Sequence, residues 1–488
     1  MPIITQMQGL ILENCPFEAT DEQRNAARSM AEFVIGREAD AALIVRGYAG
    51  TGKTSLVGAL VRTLRLLGQP TVLLAPTGRA AKVFAGHAGH AAFTIHRRIY
   101  RQKAFAADGG DFLQGVNLMR DALFIVDEAS MLPRHSSGGM AFGTGSLLDD
   151  LIHYVYSGQG CRLMLVGDTA QLPPVGEAAS PALESDVLGG YGLSVTQVEL
   201  RQVVRQLEGS GILTNATLLR RQLMAGDCLA LPQLRLRGFA DICRLPGSEL
   251  IEALEQAYAE CGGDETIVIT RSNFRAGAYN KGIRARVMCY EAELESGDRV
   301  LIAKNNYHWV KPEPQTPGRG AHEEAQPGAR AMDFLANGDM ARIVRLRRER
   351  SEHGFRFADA TLRFPDYADM EVEATLLLDT LQSDAPALGR EQQEQLFQRV
   401  WDDYPELTTK RERMKAVRED PYFNALQIKY AYALTCHKAQ GGQWQRVFID
   451  QGSVSAEQMG PDYYRWLYTA VTRATERVYL VNWPEEAS

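Results

Sequence analysis

The chain has 488 residues, of which 45% are hydrophobic, and its formal net charge is −7 with a pI near 5.8. This length is enough for about two to four domains, each with its own core. The acidic balance argues against a uniformly basic nucleic-acid coat, although it leaves room for a local basic channel. The seven cysteines include no C-x-x-C pair, so neither a disulfide framework nor a zinc site is indicated.

The first residues and the lengths of the apolar runs indicate in which cellular compartment the protein is expected. Residues 1–6 (MPIITQ) lack the basic and then apolar pattern of a signal peptide. No apolar run in the sequence approaches the ~20 residues that a membrane-spanning helix needs. We therefore expect a soluble, reduced, cytoplasmic protein with no membrane partner.

A capping pattern marks an early helix. Thr20 is followed three residues later by Gln23, and a periodic stretch runs over residues 26–35. This pattern predicts a helix that begins with a capping box. Gln23 also has a second interpretation, because its amide could bind both the donor and the acceptor edge of adenine. The sequence leaves the two roles open.

The segment GYAGTGKT at 47–54 fits the phosphate-binding pattern G-x-x-x-x-G-K-[ST]. An apolar run at 41–45 precedes it and an amphipathic run at 55–61 follows it, which predicts the strand, loop and helix that the motif needs. The glycines let backbone N–H groups face phosphate oxygens, the lysine can bridge the β- and γ-phosphates, and the Thr54 hydroxyl can bind Mg²⁺. The loop residues expected to bind ATP are Gly50, Thr51, Gly52, Lys53, Thr54 and Ser55.

A second apolar run, at 71–75, is followed by a basic tract. Because ligands bind at the carboxyl ends of parallel strands, Thr77 and Arg79 are well placed to contact one. From Arg79 to Lys103 there is no acidic residue, yet there are six lysines and arginines, three histidines including His96, and three aromatic residues. This composition suits phosphate neutralisation with base stacking. The alternative is a solvated helix face, although such faces usually mix both charges.

Residues 104–119 contain three glycines and an asparagine between short apolar pieces. This composition predicts a small hairpin that projects from the domain, with Phe105 or Phe112 near its tip. If the chain moves along nucleic acid, the hairpin would be the wedge that splits a duplex.

Two carboxylates follow an apolar run at 122–126. Asp127 would hold Mg²⁺, and Glu128 would orient and deprotonate the attacking water. A purely structural interpretation would have to explain two acids at the end of a buried strand, where unpaired charges are costly. A further apolar run, at 162–166, ends in GDTAQLPP, where Gln171 could sense the γ-phosphate through its amide.

These segments together resemble superfamily 1 helicases of the RecD/Dda/Pif type. The matching segments of the first half are GYAGTGKT (47–54), APTGRAAKV (75–83), VDEAS (126–130) and GDTAQLPP (167–174). In the second half, VVRQ (203–206) resembles motif IV, and LTNA (213–216) resembles the strand that follows it. GDRVLIAKNNY (297–307) and NGDMARIV (337–344) resemble strands of a small barrel. YALTCHKAQGGQW (432–444) and YTAVTRATERVYLV (468–481) resemble motifs V and VI. The chain departs from the family at Arg201, where threonine is common, and in a long insert in the barrel region.

The resemblance implies two RecA-like parallel-sheet α/β domains, with a small hairpin insert in the first and an SH3-like β-barrel insert in the second. Apolar runs at 266–270, 447–450 and 478–481 also argue for a second parallel α/β domain. The expected boundaries are 1–200 for the first domain with its hairpin insert at about 97–119, 201–297 with 427–488 for the second, and 298–426 for the barrel with a helical insert.

Further roles follow from the resemblance. Arg205 and Arg473 would neutralise charge that develops on the γ-phosphoryl group. Either arginine could instead form a structural salt bridge, and only the resemblance favours catalysis. Gly441 would contact ATP and link it to the DNA contacts. The expected catalytic residues are Lys53, Glu128, Gln171, Arg205 and Arg473.

The expected function is that of a monomeric DNA helicase that depends on ATP and Mg²⁺. It would move 5′→3′ along single-stranded DNA and unwind duplexes at single-strand/double-strand junctions, with the direction implied by the resemblance alone. Alternatives are a small-molecule phosphotransferase and an ATP-switched nucleic-acid clamp that does not unwind. The residues expected to grip the strand in turn, as the domains close and part, are Thr77, Arg79 and His96 in the first domain and Thr435, His437 and Lys438 in the second.

Overall fold

The computed structural model describes residues 2–36, 38–102, 112–134, 143–203, 209–310 and 334–485. The chain divides by its internal contacts into two units. Unit 1 comprises Met1–Leu245, Ala439–Val447 and Ser453–Ser488, and unit 2 comprises Pro246–Lys438 and Phe448–Gly452. Among the described residues, none of the helices combines the length and the apolar composition that crossing a membrane requires.

The described strands and helices are numbered here in chain order. The strands are β1 (Ala41–Gly47), β2 (Thr71–Ala75), β3 (Ala92–Thr94), β4 (Tyr100–Gln102), β5 (Phe112–Gln114), β6 (Leu123–Val126), β7 (Arg162–Gly167), β8 (Ser194–Leu200), β9 (Ile242–Leu245), β10 (Thr266–Thr270), β11 (Arg299–Ile302), β12 (Met340–Glu352), β13 (Phe355–Phe364), β14 (Met370–Leu377), β15 (Leu426–Tyr430), β16 (Ala433–Thr435), β17 (Trp444–Asp450) and β18 (Ala474–Val481). The helices are α1 (Pro2–Glu13), α2 (Asp21–Ile35), α3 (Lys53–Leu66), α4 (Gly78–Ala88), α5 (Ile95–Ile99), α6 (Leu147–Tyr156), α7 (Ser185–Gly189), α8 (Gly211–Ala225), α9 (Leu250–Cys261), α10 (Asn273–Arg286), α11 (Asp379–Gln382), α12 (Arg390–Asp402), α13 (Lys410–Glu419), α14 (Cys436–Ala439) and α15 (Pro461–Val471).

Unit 1 is built on a parallel sheet with the strand order β3-β2-β6-β7-β1-β8. Its inner strands are apolar and almost fully buried, as expected when helices cover both faces of a parallel sheet. One core cluster joins β1, β2 and β6 to helices α1–α4. The strands that the apolar runs predicted are therefore confirmed. Because the strands are parallel, the loops after β1, β2, β6 and β7 leave the same edge of the sheet.

Helix α2 begins as the sequence predicts. Thr20 accepts a hydrogen bond from the backbone N–H of Gln23 (3.3 Å), and the Gln23 side chain accepts one from the backbone N–H of Thr20 (3.0 Å). This reciprocal pair is a capping box, so two N–H groups that lack helical partners are satisfied. The capping interpretation of Gln23 is confirmed.

One sequence prediction was wrong. Residues 213–216 (LTNA) were expected to form a strand, but they lie in helix α8. The Ser210 hydroxyl caps this helix by accepting from the N–H of Leu213 (3.2 Å), and buried Asn215 donates to the carbonyl of Gly211 one turn earlier (2.8 Å). The strand was expected from the family resemblance alone, and the serine cap shows that this segment instead starts a helix.

The expected hairpin is present at its base. Strands β4 and β5 pair antiparallel, with Tyr100 opposite Gln114 and Gln102 opposite Phe112. Phe105 lies outside the described residues. Asn117, which follows the hairpin, is buried and donates to the carbonyls of Tyr154 and Val155 (3.1 and 3.2 Å), so this end of the segment is fixed to the domain.

Unit 2 contains the predicted barrel. Strands β11 to β15 form a closed five-stranded barrel, and helices α12 and α13 share a core cluster with β13 and β14. Parallel pairing is also present outside the first sheet, between β10 and β16 in unit 2 and between β9 and β18 in unit 1. The predicted fold class, parallel α/β domains with a hairpin and a small barrel as inserts, is confirmed.

A buried ion pair anchors the barrel to its flanking helix within unit 2. Asp298 accepts two hydrogen bonds from the guanidinium of Arg284 (2.8 and 2.7 Å), and the side chains of both residues are at most 9% exposed. The Tyr432 hydroxyl and the Glu295 N–H also donate to Asp298 (2.8 Å each). Every carboxylate oxygen is thus satisfied, which is the condition under which a buried charge is tolerated.

Replacing Arg284 by methionine should destabilise unit 2, because Asp298 then keeps a buried charge without its counter-ion. We expect a loss of about 3–5 kcal/mol in the free energy of unfolding. Urea titration followed by hydrogen exchange in peptides from β11 and β15 would measure this loss in the free energy of unfolding. Arg390→Ala is the control, because its ion pair with Glu394 is exposed (93% and 66%). An unchanged midpoint for Arg284→Met would contradict the role assigned to this pair.

Candidate nucleotide site

The phosphate loop runs from the end of β1 to the start of α3. Gly50 and Gly52 both have φ near +78°, in the left-handed region that favours glycine. A Cβ on Gly52 would lie 2.7 Å from the Gln23 amide nitrogen, so a side chain there would also collide. The Lys53 ammonium donates to the carbonyl of Tyr48 (3.2 Å). The loop therefore has the conformation in which backbone N–H groups and the α3 N-terminus can bind phosphate.

Gln23 supports this loop from the side. Its amide nitrogen donates to the carbonyl of Thr51 (2.9 Å), while its amide oxygen accepts from Thr20 in the capping box. The side chain is almost fully buried, at 1% exposure. An adenine contact would require the amide to exchange these two partners, so that role stays a prediction.

Thr54 and Asp127 face each other at the sheet edge. The Thr54 hydroxyl lies 3.4 Å from Asp127 Oδ2, and Asp127 Oδ1 accepts from the N–H of Glu128 (2.9 Å). Burial raises the pKa of Asp127, the nearby Glu128 charge raises it further, and the Lys53 charge lowers it. A hydroxyl and a carboxylate are the oxygen ligands that Mg²⁺ accepts. A divalent cation would offset the buried negative charge, so the residues fit this ion.

Glu128 and Arg473 are brought together in unit 1. Glu128 has φ of +52°, which is uncommon for a residue with a side chain and is often found at functional sites. Its Oε1 lies 3.8 Å from Arg473 Nη1. Arg473 is 4% exposed, and its guanidinium donates to the carbonyls of Thr469 (3.1 Å) and Gly442 (3.3 Å). The arginine is therefore held in place beside the expected catalytic carboxylate.

Tyr468 is a residue of this site that the sequence interpretation missed. Its hydroxyl accepts from the N–H of Ala49 in the phosphate loop (2.8 Å) and donates to Asp168 Oδ2 (2.7 Å). Both side chains are buried, and burial raises the pKa of Asp168. The family resemblance includes the motif YTAVTR at 468–473, but it assigns a role only to Arg473 and none to Tyr468. An aromatic residue at a buried helix position gives no signal of a polar contact 300 residues away.

The loop after β7 also reaches α15. Gln171 is buried, and its amide oxygen has no hydrogen-bond partner within the part of the chain that the structure describes. Its neighbour Leu172 donates to the Thr469 hydroxyl (2.9 Å) and accepts from the Gln440 amide (2.8 Å). An unsatisfied buried acceptor at this position calls for a partner, so Gln171 is a candidate for contact with a bound ligand or water.

The residues expected to bind DNA are placed as follows. Thr77 caps helix α4 by accepting from the N–H of Ala80 (3.2 Å), and Arg79 lies in the first turn of that helix. His96 lies in α5, and desolvation lowers its pKa to about 4, so it would offer a hydrogen bond rather than a positive charge at neutral pH. Thr435, His437 and Lys438 lie in β16 and α14 of unit 2. Arg205 falls outside the described residues.

The sequence of this chain is similar to two protein families and to several known proteins. A family described as "AAA domain" matches residues 18–239, and a family described as "UvrD-like helicase C-terminal domain" matches residues 430–481. Together the two matches span more than half of the chain. The ATP-dependent RecD2 DNA helicase of Deinococcus radiodurans is 28% identical over 279 residues, which are 54% of this chain. The two family matches and this relative support the resemblance of the chain to superfamily 1 helicases of the RecD type.

The relatives are longer than the part that this chain matches. The conjugal transfer protein TraA of Rhizobium radiobacter is 26% identical over 307 residues, or 59% of this chain. The chain spans only 34% of the RecD2 relative and 24% of TraA. A Pif1 structure solved to explain unwinding at forked double-stranded DNA aligns over 96% of this chain and 94% of that one, with a TM-score of 0.47 and 15% identity. A Bacteroides Pif1 complex with ADP-AlF3 and single-stranded DNA aligns over 96% of this chain and 93% of that one. Its TM-score is 0.46 and its sequence identity is 14%.

Tyr468→Phe should weaken nucleotide binding about tenfold, because Ala49 N–H and Asp168 lose a shared buried partner. The dissociation constant of a fluorescent ATP analogue would measure this effect. Tyr464→Phe is a matched control, because Tyr464 is also buried in α15 and its hydroxyl donates to the carbonyl of Ala230 (2.9 Å). Equal affinities for the two variants would show that the Tyr468 hydroxyl does not support the phosphate loop.

Proposed function

We propose that this protein is an ATP-dependent DNA helicase that moves 5′→3′ along single-stranded DNA and unwinds duplexes at single-strand/double-strand junctions. The observation that carries the proposal is the convergence of Lys53, Asp127, Glu128 and Arg473 at one edge of the unit 1 sheet. The RecD2 relative is named an ATP-dependent DNA helicase, and this supports the same activity here. The direction of movement rests on family resemblance.

The proposed chemistry assigns one task to each residue. Lys53 and the loop N–H groups hold the β- and γ-phosphates, and Glu128 takes a proton from the attacking water. Arg473 neutralises charge that develops on the γ-phosphoryl group; such an arginine is worth roughly 10³–10⁵ in rate in known cases. Gln171, whose buried amide oxygen accepts no hydrogen bond from the described residues, would report on the bound phosphate. Arg205 remains a proposed second arginine.

Thr54 and Asp127 would hold Mg²⁺, which supplies charge neutralisation at the phosphates when it is bound. The protein groups around it have their own task. The Asp127 carboxylate already accepts from the Glu128 N–H, and this bond fixes the backbone from which the Glu128 side chain extends. The positive φ of Glu128 is then set by the same turn that presents Asp127.

The proposed strand contacts lie in both units. Thr77, Arg79 and His96 would hold the strand in unit 1, and Thr435, His437 and Lys438 would hold it in unit 2. The acid-free tract from Arg79 to Lys103 supports this choice, because phosphate binding needs local positive charge in a chain whose net charge is −7. A phosphotransferase for small molecules would not need such a tract.

Lys53→Ala should reduce ATP hydrolysis at least about 10²-fold, because a fixed cation at the phosphates is lost. Binding of labelled single-stranded DNA should persist, since Lys53 is not among the proposed strand contacts and its ammonium bonds within the phosphate loop. The matched control is Lys415→Ala, because this lysine of α13 is exposed (58%) and lies outside the proposed nucleotide and strand contacts. DNA-stimulated phosphate release is the readout. Retained turnover in Lys53→Ala would overturn the site, and wild-type turnover that ignores DNA would favour the phosphotransferase.

Direction can be tested on duplexes with a single-stranded tail at one end. A 5′→3′ helicase should unwind the 5′-tailed duplex and leave the 3′-tailed one intact. Unwinding of the 3′-tailed substrate alone would reverse the proposed polarity. ATP turnover with no unwinding of either substrate would instead support an ATP-switched clamp.

Replacing residues 103–111 by a short Gly-Ser link should stop strand separation but keep single-strand-stimulated ATP hydrolysis, if the hairpin is the wedge. The deletion must end before β5, because Asn117 is bonded to the end of α6 and its loss would disturb the domain. Normal unwinding by this variant would remove the wedge proposal.

A further inference from the structure

Arg79 has two partners in unit 1 that are not nucleic acid. Its guanidinium carbon lies 4.1 Å from the centre of the Trp444 ring, and its Nη2 donates to the carbonyl of Gln443 (2.6 Å). A planar guanidinium can stack and donate hydrogen bonds at the same time. Arg79 therefore fixes both the backbone and the side chain at 443–444.

The segment that Arg79 holds is itself bonded to Arg473. The N–H of Trp444 donates to the carbonyl of Arg473 (3.0 Å), and Arg473 Nη1 donates to the carbonyl of Gly442 (3.3 Å). A Cβ on Gly442 would lie 2.4 Å from the Trp444 ring, so ring and backbone are in close contact. Gly441 is also close to α4, since a Cβ on Gly441 would lie 2.8 Å from the Cβ of Ala80.

These contacts form a continuous path from the basic tract to the catalytic carboxylate. Arg79 holds 443–444, this segment holds Arg473, and Arg473 lies 3.8 Å from Glu128. While Glu128 lies beside this guanidinium, one of its carboxylate oxygens faces the arginine instead of an attacking water. The same arginine cannot give all its donors to a γ-phosphoryl group while they bond Thr469 and Gly442. The arrangement is that of a resting site.

We propose that Arg79 is a positioning residue which restrains ATP hydrolysis until single-stranded DNA binds. A phosphate of the strand would compete for the Arg79 guanidinium, since a phosphate accepts two of its hydrogen bonds and carries the opposite charge. Release of 443–444 then frees Arg473 to turn from Glu128 to the nucleotide. The inference rests on the proposed helicase function and adds to it the residue through which the strand acts on the ATP site.

The decisive variant is Arg79→Lys. Lysine keeps the positive charge that attracts a phosphate but lacks the planar group that stacks on Trp444. We expect ATP turnover without DNA to rise at least threefold, with the KM for ATP and the melting temperature unchanged. The factor by which oligo(dT) stimulates turnover should fall accordingly. Hydrogen exchange in the peptide that contains 439–447 should rise without DNA to the level that oligo(dT) produces in the wild type.

The matched control is Arg477→Lys, because Arg477 also stacks on a ring in unit 1, that of Tyr479, at 5.0 Å. It should leave turnover without DNA unchanged. Trp444→Leu removes the stacking partner and should raise turnover without DNA, and it should bind oligo(dT) more tightly than the wild type, because the phosphate no longer competes with the ring. If this variant does not fold, Trp444→Phe keeps a ring at that position and should behave as the wild type.

Two outcomes would overturn the inference. If Arg79→Lys leaves turnover without DNA unchanged and only weakens oligo(dT) binding, Arg79 is a strand contact alone. If turnover falls both with and without DNA, Arg79 supports the active arrangement rather than the resting one. Failure of the proposed function looks different, because the wild-type protein would then hydrolyse no ATP or would ignore oligo(dT).

Discussion

Two hydrogen bonds to the hydroxyl of Tyr468 hold the candidate site together. One comes from the phosphate loop at Ala49 and the other goes to Asp168 after β7. Because Tyr468 lies in α15, the pair of bonds fixes the C-terminal helix against loops from the other end of the chain. Thr469, the next residue of the helix, accepts from Leu172, and Arg473, two residues beyond the end of the helix, lies beside Glu128.

The parallel sheet explains why these groups can meet. The loops after β1, β6 and β7 all leave the same edge, so three segments that are far apart in sequence bring a lysine, two carboxylates and a buried amide to one place. Burial then strengthens every interaction there. It raises the pKa of both Asp127 and Asp168, which means that the folded site favours positive partners for these acids. Lys53, Arg473 and a divalent cation are the partners that the proposed chemistry needs.

Local patterns in the sequence were enough to predict much of this. The phosphate loop is eight consecutive residues, and the capping box at Thr20 spans four, so neighbours alone determine them. The buried strands followed from short apolar runs. The strand expected at 213–216 came from the family resemblance and was wrong, because a serine cap starts a helix there. The contact of Tyr468 with Asp168 spans 300 residues, and no spacing in the sequence indicates it.

Arg79 shows a subtler limit of sequence patterns. Its position after β2 predicted contact with a ligand, and its charge suggested that the ligand is a phosphate; both stay predictions. In the structure Arg79 contacts an aromatic ring and a backbone carbonyl, and under the proposal a strand phosphate competes for the same guanidinium. A guanidinium that serves two alternative partners is a physical switch, because binding one must release the other. The same logic applies to Glu128, whose carboxylate can pair with Arg473 or accept a proton from water. Under the proposal these two choices are linked through residues 442–444, which accept hydrogen bonds from both Arg79 and Arg473, and hydrolysis would then depend on the strand.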